Sequence, residues 1–248
     1  MAKYACSDLH GFYNLYEQIK AFLNPDDIVY FLGDANDRGP DGWKLIKAIY
    51  DDPQFIYIKG NHEQMFIDVA HSWHNSGLTD MQAYKFNTHA YRMVKNNNGV
   101  RTFDDWRKEG APMDWVEKLQ KLPLYHVYEN ANGVKIFLSH AGCTLWQERN
   151  VQDGTITLFD DLLWSRDHIY DEWDEQCPAQ YIVVHGHTPV PSLKEKLGDF
   201  GPIKVGPYWY ADKHKCCLDQ WTISTNCACL FDLDTFKHKM FRDESFLN

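Results

Sequence analysis

Residues 28–40 read IVYFLGDANDRGP: five apolar residues run directly into two acids, an amide and an arginine framed by glycines. An apolar run bounded by Gly and Pro reads as a buried strand, which puts the polar loop at the strand's carboxyl end. The arrangement recurs on both sides. KYAC (3–6) ends in SDLHG and is followed by Phe12, Leu15, Tyr16, Ile19, Phe22 and Leu23 at helical spacing. The quoted loop leads into the helical GWKLIKAIY (42–50), and FIYI (55–58) ends in KGNHE before the helical QMFIDVAHSW (64–73). Three strand, loop and helix units in succession predict parallel strands with helices packed on the sheet. Their chemistry should gather beyond the strands' carboxyl ends.

From about residue 74 to 112 the chain turns polar, with three asparagines at 96–98, and reads as an inserted helical or looped cap. Strands resume at LYHVYE (124–129), VKIFLS (134–139) and YIVVH (181–185), and 202–242 reads as further β structure with turns. With no linker and no further repeat, one domain over 1–248 is expected. A chain of 248 residues, 44% hydrophobic, can bury a full core. A net charge of −10 has the wrong sign for neutralising nucleic-acid phosphates or anionic lipid, so neither partner is expected. Any phosphate must be held locally. There is no signal-peptide pattern and no apolar run of the roughly 20 residues that span a bilayer. With seven cysteines, an odd number, reduced thiols in the cytoplasm are expected; the oligomeric state stays open.

The strand ends bring together Asp8 and His10, Asp34, Asn61, His140, and His185 or His187. Mixed carboxylate and imidazole donors suit manganese, iron or zinc, whereas magnesium favours oxygen and structural zinc favours thiolate. Asp8 and His10, two apart in extended chain, point the same way and can chelate one ion. Asp34 has two oxygens and can bridge to a second. Two ions ~3.5–4 Å apart clamp a tetrahedral phosphate and activate a water.

The motifs SDLHG, GDANDRG, GNHE, SHAG and HGHTP, in this order, resemble the PPP group of phosphoprotein phosphatases within the calcineurin-like metallophosphoesterases. LLWSR (162–166) and HTPV (187–190) are similar to the compact bacterial and phage-type enzymes. The resemblance implies an α/β sandwich of two mixed β-sheets flanked by helices, holding two divalent ions, manganese foremost. It assigns Asp8 and His10 to the first ion, Asp34 to the bridge, and Asn61, His140 and His187 to the second. It puts Arg38 and Arg166 on the phosphate oxygens and makes His62 the general acid, oriented by Asp37. The implied reaction is hydrolysis of phosphoserine or phosphothreonine, in a phosphoprotein or phosphopeptide, by in-line attack of metal-bound hydroxide. A nucleotide phosphohydrolase such as a symmetrical diadenosine tetraphosphatase is the alternative, and a catalytically inactive scaffold the third reading. The chain departs from the family pattern at Ser7, Asn36, Lys59 and SHAG, and Asn36 is left without a role.

Three other features admit competing readings. Cys143 and Arg149 have the Cys-x5-Arg spacing of thiol phosphatases, but Leu145, Trp146 and Glu148 are wrong for a phosphate-cradling loop. Cys216, Cys217, Cys227 and Cys229 with His214 can be read as a zinc site, although no Cys-x2-Cys pair is present. Trp73 and Trp106 are read as core, or as walls of a groove under the cap.

Overall fold

The computed structural model describes residues 1–79, 81–143, 162–169, 181–202 and 204–246. Strands β1 (Lys3–Cys6), β2 (Ile28–Phe31) and β3 (Phe55–Tyr57) pair in parallel, as the three opening units predict. Further on come β4 (Tyr125–Glu129), β5 (Lys135–Ser139), β6 (Tyr181–His185), β7 (Tyr208–Tyr210), β8 (Lys215–Cys217), β9 (Cys227–Asp232) and β10 (His238–Arg242). Two five-stranded sheets result, in the orders β10-β9-β1-β2-β3 and β4-β5-β6-β8-β7. Both are mixed: β9 joins β1 antiparallel, β5, β6 and β8 run parallel, and β4 and β7 close the second sheet antiparallel.

Alternation along the strands explains the layering. Tyr30, Leu32 and Ile58 of the first sheet face Ile136, Leu138 and Val184 of the second, and these side chains form the core between the sheets. Val29, Phe31, Phe55 and Tyr57 face the other way, onto the helices. Those helices are α1 (Tyr13–Phe22), α2 (Gly42–Asp51), α3 (Asn61–Ser76), α4 (Met81–Asn87), α5 (His89–Asn96), α6 (Val100–Lys108) and α7 (Met113–Gln120). The two-sheet α/β sandwich expected from the sequence is the fold observed.

The stretch read as an inserted cap is helical and shares the core of the helical layer. Tyr84, Tyr91, Val94, Phe103 and Trp106 are buried together with Trp43 and Phe66. Thr102, Phe103 and Trp106 line one face of α6, the i, i+1 and i+4 stripe that an otherwise polar helix turns inward. Burying each large side chain contributes about 2 kcal/mol, enough to hold the segment against α3. Trp106 is therefore core, its Nε1 donating to the Pro112 carbonyl at 3.2 Å, and Trp73 is packed beneath the Arg107 guanidinium.

The tail cysteines are also packing groups. Cys216 and Cys229 lie between the sheets while Cys217 faces the opposite side of β8. Among the described residues, the clusters able to hold a metal contain no cysteine. Cys143 is buried, and Arg149 lies outside the described residues.

Candidate metal centre

Every proposed metal ligand is buried where the two sheets present their loops: Asp8, His10, Asp34, Asn61, His140 and His187 are all below one tenth exposed. The loops turn sharply there, so Asp8 and His10 lie beyond β1 in a turn and not in the extended chain expected of them. Asp8, His10, Asp34, Asp37, Arg38 and His187 all have φ between 44° and 66°, a left-handed conformation uncommon for side-chain-bearing residues. Gly33 allows the closest approach: at φ 92° a Cβ would sit 2.4 Å from the Gly60 nitrogen. Strand ends and tight turns thus supply what spacing alone does not, convergence from five loops.

The hydrogen bonds at the rear of each ring fix which nitrogen faces inward. His10 Nδ1 meets the Asn36 carbonyl at 3.0 Å, His140 Nδ1 the Leu32 carbonyl at 2.8 Å, and His187 Nε2 the Trp164 carbonyl at 3.2 Å. A carbonyl only accepts, so those nitrogens carry the protons and the opposite ones present lone pairs. Burial drives the same result: it pushes His140 down to about 3 and holds His10 and His187 well below the usual histidine range. All three rings are neutral acceptors.

Those lone pairs meet other acceptors. His10 Nε2 lies 3.7 Å from both Asp8 Oδ1 and Asp34 Oδ2. On the other side, His140 Nε2, His187 Nδ1 and Asn61 Oδ1 lie within 2.8–3.2 Å of one another, and Asp34 Oδ1 is 3.4 Å from His140 Nε2. Asp34 therefore turns one oxygen toward each group, the geometry of a bridge. Asp8 Oδ2 is occupied by the Ser7 hydroxyl and the His187 N–H, while Asp8 Oδ1 and His10 Nε2 are buried without a hydrogen-bond partner. Acceptors packed against acceptors leave a place that a cation satisfies. Burial, with Asp219 nearby, raises the Asp8 carboxyl; burial, with Asp8 and Glu63, raises Asp34, and burial takes Asp219 to about 6. Nitrogen and oxygen donors in two adjoining sets fit a pair of divalent ions.

Beside the donors, His62 Nδ1 meets Asp37 Oδ2 at 2.8 Å and Arg38 Nη2 lies 3.3 Å from His62 Nε2. Arg166 is exposed at the mouth, within electrostatic reach of Asp34, Asp219 and Arg38. Asn36, which the sequence leaves without a role, braces this pair, its Nδ2 donating to Asp37 Oδ1 at 2.9 Å and to the His62 carbonyl at 3.1 Å. Lys59, where the family pattern has arginine, points away and donates to the Gln120 carbonyl at the end of α7. His185 points away as well, between Tyr210 Oη at 2.8 Å and the Gly186 carbonyl at 3.0 Å, with His168 against its face.

Sequence reading missed two organising residues. The buried Glu63 carboxylate accepts the N–H groups of Asp34, Ala35 and Gly60 and the Tyr57 hydroxyl, at 2.7–2.9 Å, and so joins two ligand loops. The motif GNHE contains it, and its position at the third residue of α3 marks a cap to Gly60. Ser7, noted as a departure, is the hydroxyl that orients Asp8.

A two-sheet sandwich with paired donor sets beyond its strand ends defines a metallophosphoesterase. The chain belongs to the calcineurin-like phosphoesterase family, whose model matches residues 2–217. It is 26% identical over 174 residues to an asymmetrical bis(5'-nucleosyl)-tetraphosphatase of Oceanobacillus iheyensis, covering 65% of this chain and 62% of that protein. It is 28% identical over 146 residues to a symmetrical bis(5'-nucleosyl)-tetraphosphatase of Buchnera aphidicola, covering 57% and 45%. The match thus spans less than two thirds of either relative. Among solved structures, a metallophosphoesterase from Sphaerobacter thermophilus superposes with TM-score 0.56 at 13% identity, over 98% of this chain and 87% of that one. A serine/threonine phosphatase from Saccharomyces cerevisiae superposes with TM-score 0.53 at 13% identity, over 98% and 80%. These likenesses show the shared fold.

Proposed function

We propose that this chain is a metal-dependent hydrolase of dinucleoside polyphosphates. The observation that carries the reading is its sequence likeness to two bis(5'-nucleosyl)-tetraphosphatases. It displaces the protein phosphatase reading from first place, because the likeness to a serine/threonine phosphatase is structural and the fold is common to both. The second reading keeps one observation in its favour: a His62–Asp37 pair is of most use when the leaving group is a basic alkoxide.

Asp8, His10 and Asp34 would hold one ion, and Asp34, Asn61, His140 and His187 the other, with manganese the first choice. When bound, such ions neutralise phosphate charge and bring the pKa of a water toward neutrality. Arg38 and Arg166 would grip the phosphate oxygens, for which a guanidinium fork is suited. Arg38, drawn to those oxygens, would release His62 Nε2 to take up a proton from solvent, and His62, steadied by Asp37 and Asn36, would hand that proton to the departing oxygen. The catalytic unit proposed is the whole of 1–248, with 74–112 part of it. Six buried, unbridged cysteines among the described residues favour a reducing compartment such as the cytoplasm. No helix among the described residues is long and apolar enough to cross a membrane.

The test compares kcat/KM for diadenosine tetraphosphate with that for a phosphoserine peptide, after chelation and manganese add-back. A clear preference for the dinucleotide is expected. Preference for the peptide would restore the phosphatase reading, and turnover surviving thorough chelation would remove the metals from both.

A further inference from the structure

An open groove of about 780 Å³ begins at Arg38 and runs along the α5–α6 turn, past Lys95, Asn98 and Arg101. It is of one piece with the catalytic loop, because the Asn98 carbonyl accepts the Arg38 N–H at 3.1 Å. The groove's acids are taken up by their own helix: Asp104 pairs with Arg107 at 3.5 Å, and Asp105 with Lys108 at 2.7 Å. Arg101 reaches Asp105 only at 3.9 Å and is 63% exposed. Lys95 has no acidic partner among the described residues. Lys95 also lines a second cavity of about 410 Å³ with Gln82, Lys85, Tyr91 and Arg92, which adds two cations and no acid. In a chain of net charge −10, a cationic track leading away from the phosphate-gripping arginine is a local exception to the overall field.

We propose that this track is a polyphosphate subsite, in which Lys95 and Arg101 hold the phosphates that lie beyond the scissile one. The proposal builds on the dinucleoside polyphosphate reading and names what would select a chain of phosphates over a single one. A monoester meets Arg38 and Arg166 and goes no further, whereas a linear polyphosphate continues along the groove to Lys95 and Arg101. Lysine and arginine exposed on the rim gain most from a ligand whose charge repeats along its length.

The test measures inhibition of p-nitrophenyl phosphate hydrolysis by inorganic orthophosphate and by tripolyphosphate, with manganese in excess of both. Tripolyphosphate should bind at least about tenfold more tightly than orthophosphate, and the double variant Lys95→Ala, Arg101→Ala should lose about that factor. Lys95→Arg, which keeps the charge, should retain it. An unchanged ratio of the two inhibition constants in the double variant overturns the subsite. If the ratio falls but the parent protein cleaves no diadenosine tetraphosphate, the subsite stands and the substrate reading fails. If the double variant loses only activity on an acidic phosphopeptide, with tripolyphosphate inhibition intact, the groove is a peptide track and the subsite is overturned.

Discussion

The two donor sets of the metal centre are built differently. Asp8, His10 and the near oxygen of Asp34 come from the ends of neighbouring parallel strands, β1 and β2, so one sheet assembles them. Asn61 and the far oxygen of Asp34 belong to the same sheet, but His140 and His187 follow β5 and β6 of the other. The first set rests mainly on the β1–β2 register and the turns that follow it, with one His187 N–H reaching Asp8 from the other sheet, whereas the second draws two of its donors from that sheet and so depends on the inter-sheet core holding the layers at one separation. Local pairing makes one half of the site, and tertiary packing makes the other.

The largest test removes what the two halves share. Asp34→Asn should lower kcat/KM for p-nitrophenyl phosphate by about 10³ or more, because a neutral amide cannot bridge two cations. Elemental analysis should find both metals depleted, while His10→Ala and His140→Ala each retain about one per chain. Two full equivalents in Asp34→Asn would dissolve the bridge. Next in size is Leu138→Ala, which opens a cavity between the sheets at a cost of about 3 kcal/mol. Metal titration should then show the His140 and His187 half weakened and the Asp8 and His10 half largely spared; equal weakening would end the distinction.

Acid should also attack the second half. Burial lowers His185, on the strand feeding His187, to about 4, whereas in the unfolded chain it titrates near 6.5. Between those values the unfolded state binds the extra proton, so the stability present above pH 6.5 is lost as pH falls toward 4. Denaturant melts of metal-free protein at pH 7 and pH 5 should differ by about 2 kcal/mol more in the parent than in His185→Gln. A matching pH dependence in both would show that His185 does not drive it. The smallest effect concerns the first half. Asn36→Leu should slow hydrolysis of an alkyl phosphate about tenfold and of p-nitrophenyl phosphate much less, since a good leaving group needs little help from His62. Equal losses on the two substrates would make Asn36 a folding residue only.

The same division explains what could be read from the sequence. Donors at strand ends lie beside their strands in the chain, so Asp8, His10 and Asp34 announce themselves through apolar runs that stop at polar loops. That His140 and His187 close onto Asn61 depends on sheets meeting across long stretches of chain, and only the resemblance to a family supplied it. Glu63 escaped although the GNHE spacing carries its cap to Gly60, because its bonds to the Asp34 and Ala35 N–H groups, like that of Asn36 to the His62 carbonyl, reach backbone of other loops, which no spacing encodes. The stretch 74–112 looked like a cap because it reads as polar, with three asparagines at 96–98, yet Tyr84, Phe103 and Trp106 of its helices are fully buried.

Six non-glycine residues of the centre hold left-handed backbone angles. At roughly 1–2 kcal/mol each, they together cost on the order of 10 kcal/mol, comparable to the whole net stability of a typical domain. The packed layers behind the loops must offset that cost, which leaves little margin for change elsewhere. The sequence is therefore least free to drift not only at the ligands but also at the side chains that tie these turns, Glu63 to the Asp34 and Gly60 N–H groups, and Asn36 and Thr102 to Asp37.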